Sequence, residues 1–210
     1  MKIAINLRGI SHGHGRNWNF CKNSIKENVI DCWAHLYNLY VTTYNHSEIY
    51  DLLEFYNPYK YQILEFNEKS NQIETFEKSL QIIDNDFDLI IITRFDIDFS
   101  TKISKFNINY EKINFLFKEG TDIYLENPFV CDNIFFIPKK FWGAFKKCIY
   151  EIEDKNSTHL HFLYIELLKN MPLENFNFIF QNVKNYSHDN SIYKLVGNKF
   201  DNIGGFYGKF

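Results

Sequence analysis

The sequence predicts an α/β domain built on a mainly parallel, mixed sheet with flanking helices. Three observations lead there. Four β-branched segments alternate with three helix-period segments over roughly the first hundred residues, the order that builds βαβ units. The segment "DLIIITRF" is an almost unbroken apolar run, as expected of a strand covered on both faces. No internal repeat, Pro/Ser-rich linker or long charge block divides the 210 residues, so a single domain over 1–210 accounts for the length.

The elements follow in order. "KIAINLR" alternates and is β-branched, so it reads as the first strand, and "GISHGHGRN" is a Gly/His loop. "WNFCKNSIKENVI" has helical spacing with Asn17 as a candidate N-cap. "HLYNLYVTTY" reads as a strand and "SEIYDLLEFY" as a short helix capped by Ser47. "YKYQILEF" is the third strand, and "SNQIETFEKSLQIID" a helix entered through Ser70 or Asn71. "DLIIITRF" is the fourth. Beyond Asp98 the rhythm changes: "INFLF", "DIYL" and "NIFFIP" are shorter strands of a mixed region. Helices follow around "KKFWGAFKKCIYEIE" and "STHLHFLYIELLKN", then a last strand near "FNFIFQ" and a polar tail.

Composition excludes several classes. At 45% hydrophobic and 19% aromatic the chain is far from disordered composition. A net charge of -3 argues against general affinity for nucleic acid or anionic membranes, so any anion must bind at a local site. The apolar "IAINL" is too short for a signal-peptide core, and no segment approaches a membrane span. Cys21, Cys32, Cys131 and Cys148 show no CxxC spacing, which reads as reduced thiols in a cytoplasmic-type protein. The sequons "NHS", "NST" and "NYS" are expected by chance in so asparagine-rich a chain.

Basic residues are almost all lysine; the three arginines are Arg8, Arg16 and Arg94. Lysine suffices for solubility, whereas arginine adds a rigid fork of donors matched to phosphate or carboxylate. All three lie in or beside the loops that end the first and fourth strands. In an open parallel sheet, ligands bind beyond the carboxyl ends of the strands. The fourth strand there runs into "RFDID". Carboxylates at i and i+2 of an extended segment share a face and can hold a hard cation, Mn²⁺ or Mg²⁺. The plainer alternative is a turn whose aspartates satisfy backbone amides.

"IAINLRGISHGHGRNW" followed by "DLIIITRFDIDF" resembles the GT-A glycosyltransferases that carry a DxD motif. More narrowly, it is similar to small sugar transferases of large DNA viruses and bacterial capsule loci, including the chlorella-virus capsid type. The resemblance covers most of the chain in element order, though its motifs occupy only about thirty residues. It implies a Rossmann-related GT-A domain with a nucleotide-binding half over about 1–100 and an acceptor-side half over about 101–210. It implies a nucleotide-sugar donor, a UDP-sugar, a glycan or glycoprotein acceptor, and for a viral protein the host cytoplasm. Asp98 becomes the direct metal ligand, with Asp96 nearer the ribose or a metal-bound water. Arg8, Gly9 and Arg16 match the first-loop pattern, and Thr42 and Thr43 end the second strand near where such folds hold the base. Many of these enzymes complete the metal site with a C-terminal histidine, which puts His188 of "SHDN" forward.

An acidic residue after the metal motif faces the acceptor in the resembling enzymes, and in inverting transfer it takes the hydroxyl proton. Asp132 in "FVCDNIFFIP" is the candidate base, with Asp122 and Glu126 of "TDIYLENP" as rivals and a capping aspartate as the plain alternative. Glycines 9, 13 and 15 do not form GxGxxG and no Walker lysine follows, so the first loop is not a P-loop. His12 and His14, like His159 and His161, read as solvated or core histidines rather than ligands. Trp18, Trp33 and Trp142 read as core. Two further readings stay open. One is a nucleotide- or sugar-binding module without turnover. The other is a haloacid-dehalogenase-like phosphatase, although "DIDFS" lacks the glycine of D-x-D-G-[TV] and lies far from the N-terminus.

Overall fold

Period-two alternation along the strands decides the layering. In the computed structural model, which describes residues 1–34, 36–67, 70–119, 129–152, 160, 163–180 and 192–196, β1 (Ile3–Arg8) lies at the centre of the sheet. Its Ile3, Ile5 and Leu7 enter one apolar cluster, while Ala4 enters the cluster on the opposite face. Successive side chains of a strand point to opposite faces, so a strand apolar at nearly every position suits a sheet covered on both sides.

After β1 the chain makes a small hairpin, β2 (His12–Gly13) with β3 (Arg16–Asn17). The helix expected over "WNFCKNSIKENVI" is broken. A 3₁₀ turn at Trp18–Phe20, capped by Asn17 as expected, leads to α1 (Lys22–Ile25), a π turn at Lys26–Ile30 and a 3₁₀ turn at Asp31–Trp33. The cause is tertiary. Ser24 Oγ and Asn28 Nδ2 both donate to the Phe99 carbonyl, at 3.1 and 2.6 Å. Short polar side chains that bond outside the helix bend it.

β4 (Tyr37–Tyr44), α2 (Ile49–Tyr56) and β5 (Lys60–Leu64) follow. The cap of α2 is Glu48, not Ser47, and it makes no side-chain cap bond because its carboxylate serves the first loop, as described below. α3 (Gln72–Ile82) starts at Asn71, whose side chain accepts from the Glu74 amide. β6 (Leu89–Arg94) then turns into β7 (Ile97–Phe99). The mixed region supplies β8 (Ile113–Phe115), β9 (Lys118–Glu119), β10 (Phe129–Val130) and β11 (Ile134–Pro138). α4 (Lys139–Tyr150), α5 (Leu163–Leu168), β12 (Phe176–Phe178) and β13 (Tyr193–Leu195) complete the described elements. The expected strand at "DIYL" lies outside the described residues.

The seven-stranded sheet runs β12-β8-β11-β6-β1-β4-β5. β6, β1, β4 and β5 are parallel to one another, and β11 is antiparallel to both β6 and β8. The chain therefore moves from β1 outward through β4 and β5, then returns to add β6 on the other side of β1. That reversal is the topological switch point, beyond whose carboxyl ends such sheets leave a crevice. The three tryptophans are buried, and none of the four cysteines is in a disulfide. No described helix is long and apolar enough to cross a membrane.

Candidate functional site at the carboxyl edge of the sheet

Arg8 and Arg94 are the last residues of β1 and β6, and they are register partners across the switch point. On its other side Arg8 pairs with Thr42 of β4. The loops at both strand ends therefore meet. Arg16, from the first-loop hairpin, closes the group by donating its Nε to Asp96 Oδ2 at 2.7 Å. Arg94 grips the same carboxylate with a fork, Nε to Oδ1 at 2.8 Å and Nη2 to Oδ2 at 2.6 Å.

The arginine at the end of a buried strand is thus explained. Phe95 and Asp96 form a turn between β6 and β7, so the extended geometry expected across "DID" begins only after Asp96. Asp96 is 3% exposed. Burial alone would raise its pKa, but the charges and hydrogen bonds of Arg94 and then Arg16 hold it below the ordinary carboxylate value. Arg94 is lowered by burial, yet Asp96 and Asp132 outweigh that and leave it above its ordinary value.

Asp132 stands just before β11, beside the β6 end. Its Oδ1 lies 3.6 Å from Arg94 Nη1, and its Oδ2 accepts a hydrogen bond from Gln72 Nε2 in the first turn of α3. Its backbone carbonyl accepts from Arg8 Nη2 at 3.4 Å. Arg8 is packed under α3 with its guanidinium 4.3 Å from the Phe76 ring centroid. Burial pulls Arg8 down to about 9, with Asp132 opposing the shift and Arg94 reinforcing it.

The first loop is tied to the β4 end rather than left free. Gly9 has φ 102° and donates its amide to the Thr42 carbonyl. A Cβ at this position would meet no atom within 4 Å, so backbone conformation and not space demands glycine. Ser11 Oγ lies 2.7 Å from Thr43 Oγ1 and 2.9 Å from His46 Nε2. His46 Nδ1 accepts from the Glu48 amide, which leaves the proton on Nε2. Burial first, and then His12, holds His46 below its ordinary value. His12 stacks on His46 with centroids 5.2 Å apart. Its Nδ1 is 3.3 Å from Glu48 Oε2, without a hydrogen bond between them. Glu48 Oε2 also accepts from Trp18 Nε1 and Asn19 Nδ2. His14, with φ 50°, packs against Phe66 with ring centroids 4.3 Å apart. His12 is thus half-buried against His46, while His14 is exposed, as the solvated reading expects.

Asp98 is partly exposed on β7. β13 pairs antiparallel with β7, setting Lys194 directly across from Asp98. Asp96 and Asp98 act on one neighbour: burial first, then both carboxylates, pushes the Cys21 thiol up to about 12. Among the described residues no three His, Cys, Asp or Glu side chains gather as a metal cage. Both Asp96 oxygens are occupied by guanidinium, while the Asp98 carboxylate makes no ion pair or hydrogen bond with its described neighbours. At this edge Asp98 offers one carboxylate to a cation of the Mg²⁺ or Mn²⁺ kind, which one or two carboxylates hold together with ligand phosphates. His188, Asp122, Glu126, His159 and His161 lie outside the described residues.

Sequence reasoning missed Gln72, Glu48, His46 and Lys194. Gln72 could have been found as the first helical residue of a helix crossing the carboxyl edge. The other three depend on contacts between distant segments, for which no local signal exists.

No protein-family model matches the sequence, and no curated protein does. Among solved structures, the CTP:phosphocholine cytidylyltransferase of Streptococcus pneumoniae (LicC) is similar over 95% of this chain and 95% of that one, with a TM-score of 0.54 at 10% identity. An active-site mutant of LgtC aligns over 85% of this chain and 72% of its own, with a TM-score of 0.48 at 12% identity. The fold is a single Rossmann-like α/β domain shared with the cytidylyltransferase, and at such identity the likeness is one of fold.

Proposed function

We propose that the chain is a metal-dependent glycosyltransferase that moves a sugar from a nucleotide-diphosphate donor, a UDP-sugar, to a glycan or glycoprotein acceptor. One observation carries the reading. A lysine-rich chain brings its three arginines and Asp96 of "RFDID" together at the switch point of a parallel sheet. In this reading residues 1–100 bind the nucleotide and 101–210 face the acceptor. Arg8, Gly9, Arg16, Thr43, Arg94 and Asp96 line the donor side. Asp98 holds Mn²⁺ or Mg²⁺, with His188 as a further ligand. When bound, the cation supplies charge neutralisation at the diphosphate leaving group.

Asp132 is the proton acceptor of this reading. Its oxygens face Arg94 and Gln72, so an acceptor hydroxyl reaches it by taking the place of the Gln72 amide. Asp132→Asn is expected to lower kcat by about 10²- to 10⁴-fold, the range of a lost general base. UDP and Mn²⁺ affinity should stay within about twofold, because the defect is confined to the transition state. Equal losses in binding and turnover would make Asp132 a structural residue instead.

Arg16→Lys and Arg94→Lys keep the charge but lose the fork, so UDP affinity should fall by about tenfold in each. Wild-type affinity in both would remove these arginines from the donor site. The deciding experiment is calorimetric titration with UDP and Mn²⁺ followed by product analysis with a UDP-sugar. Metal-dependent UDP binding without hydrolysis or transfer would favour a binding module, and hydrolysis of simple phosphate esters would favour a phosphatase. The S. pneumoniae protein of like fold is a cytidylyltransferase, so nucleoside triphosphate plus sugar phosphate is the second substrate pair. Release of pyrophosphate rather than UDP would mark nucleotidyl transfer.

A further inference from the structure

The first loop is fastened to the sheet at a polar cluster that contains two imidazoles. His12, on β2, and His46, between β4 and α2, stack with ring centroids 5.2 Å apart and planes inclined by 16°. His46 is tied through both ring nitrogens. Its Nδ1 accepts from the Glu48 amide at 3.2 Å, and its Nε2 lies 2.9 Å from Ser11 Oγ, which is 2.7 Å from Thr43 Oγ1. The first of these bonds exists only for a neutral ring, because both nitrogens of an imidazolium are donors. The second joins the loop to the end of β4.

Two stacked imidazoles repel each other when both are charged. The charged groups acting on His46 are His12 and Glu48. The Glu48 carboxylate favours a proton on the pair, but its Oε2 already receives Trp18 Nε1 at 3.2 Å and Asn19 Nδ2 at 2.9 Å. Burial and His12 prevail, and His46 stays below its ordinary value of 6.5. The cluster is also joined to the carboxyl edge. In the hairpin the His12–Asn17 pair is followed by Gly13–Arg16, and Arg16 donates to Asp96. A displacement of His12 therefore moves the arm that carries Arg16.

We propose that the stacked His12–His46 pair is a proton-operated latch on the first loop, closed while His46 is neutral and opened when it takes a proton. The proton leaves Nδ1 unable to accept from the Glu48 amide and makes the stack repulsive whenever His12 is charged as well. The β2–β3 hairpin then loosens from β4, and Arg16 with it. The direction follows from linkage. His46 takes a proton more readily in the open loop, so the closing free energy is fully present above pH 6.5 and lost as pH falls through the folded value. Across that window the open population rises by up to about tenfold per pH unit, the limit for one proton. Carboxylates such as Asp96 titrate near or below about pH 4, which separates the two responses. The latch does not depend on which ligand the edge takes.

Amide hydrogen exchange of the full chain, expressed as protection relative to the intrinsic rate at each pH, reads the latch directly. In wild type, protection over residues 12–17 should fall about three- to tenfold between about pH 7.5 and about pH 5, while β1, β6 and α3 keep theirs. His46→Asn supplies a side-chain oxygen that accepts from the amide two residues on and does not titrate. Its hairpin should show the same protection at both pH values. His12→Phe is the second variant: it keeps a ring on His46 and removes the neighbouring charge, so the acid response should shrink but remain. Each variant is compared with itself across pH, so a lower baseline stability does not mask the result. An acid response in His46→Asn as large as that of wild type, or none in wild type, overturns the latch. Loss of protection spread evenly over the sheet overturns it too, because that marks general acid unfolding.

Discussion

Asp98→Asn is expected to abolish the Mn²⁺ dependence of UDP binding and to lower turnover with it, while the fold survives. The substitution keeps the size of the side chain and removes a negative oxygen ligand. Asp98 is partly exposed and its carboxylate makes no hydrogen bond or ion pair with its described neighbours, so little structure depends on its charge. Outer-shell changes at metal sites already cost about 10- to 100-fold, so a lost direct ligand should cost at least about tenfold in metal-dependent affinity. Lys194, its cross-strand neighbour, does not compensate, because a lysine cannot bridge two phosphates as a divalent cation can. Calorimetry with UDP, with and without Mn²⁺, reads the effect, and the melting curve checks the fold. UDP binding with wild-type metal dependence in this variant would refute the metal reading of "RFDID".

Asp96→Asn should behave in the opposite way, with stability as the main casualty. Asp96 is 3% exposed and receives three charged hydrogen bonds, two from Arg94 and one from Arg16. Neutralising it leaves buried guanidinium charge without its partner, a change that costs about 3–5 kcal/mol. For a chain of this size the melting temperature should drop on the order of 10 °C. The pH dependence has a defined sign. The folded-state pKa is depressed, so the stabilisation is present above the unfolded value, about 3.9, and is lost as pH falls through the folded one. Below about pH 4 wild type should therefore lose stability more steeply than Asp96→Asn. Denaturant titrations across the acid range would show parallel losses if the arginine clamp contributed nothing.

Much of this is legible in the sequence. The period-two strands, the covered β6 run and the Asn17 and Asn71 caps follow from rules that act within a few residues. The broken helix after Trp18 is not legible, because Ser24 and Asn28 answer to the Phe99 carbonyl rather than to their own turn. Ser47 fails as a cap for the same kind of reason: Glu48 begins α2 while its carboxylate collects Trp18 and Asn19 from the first loop.

By itself the sequence determined the α/β rhythm, the two-sided core and the unusual cost of placing arginines and aspartates at the end of an apolar strand. Only the tertiary structure decided which of them share a site. Arg8 meets Arg94 because β6 returns to the far side of β1. Asp96 is taken up by two arginines because a turn, not an extended strand, follows β6. Asp98 lies opposite Lys194 because β13 pairs with β7. Local sequence encodes side-chain period and backbone preference. Strand order and the register between distant segments are chosen by which arrangement buries both faces of the sheet at once, and that choice belongs to the whole chain.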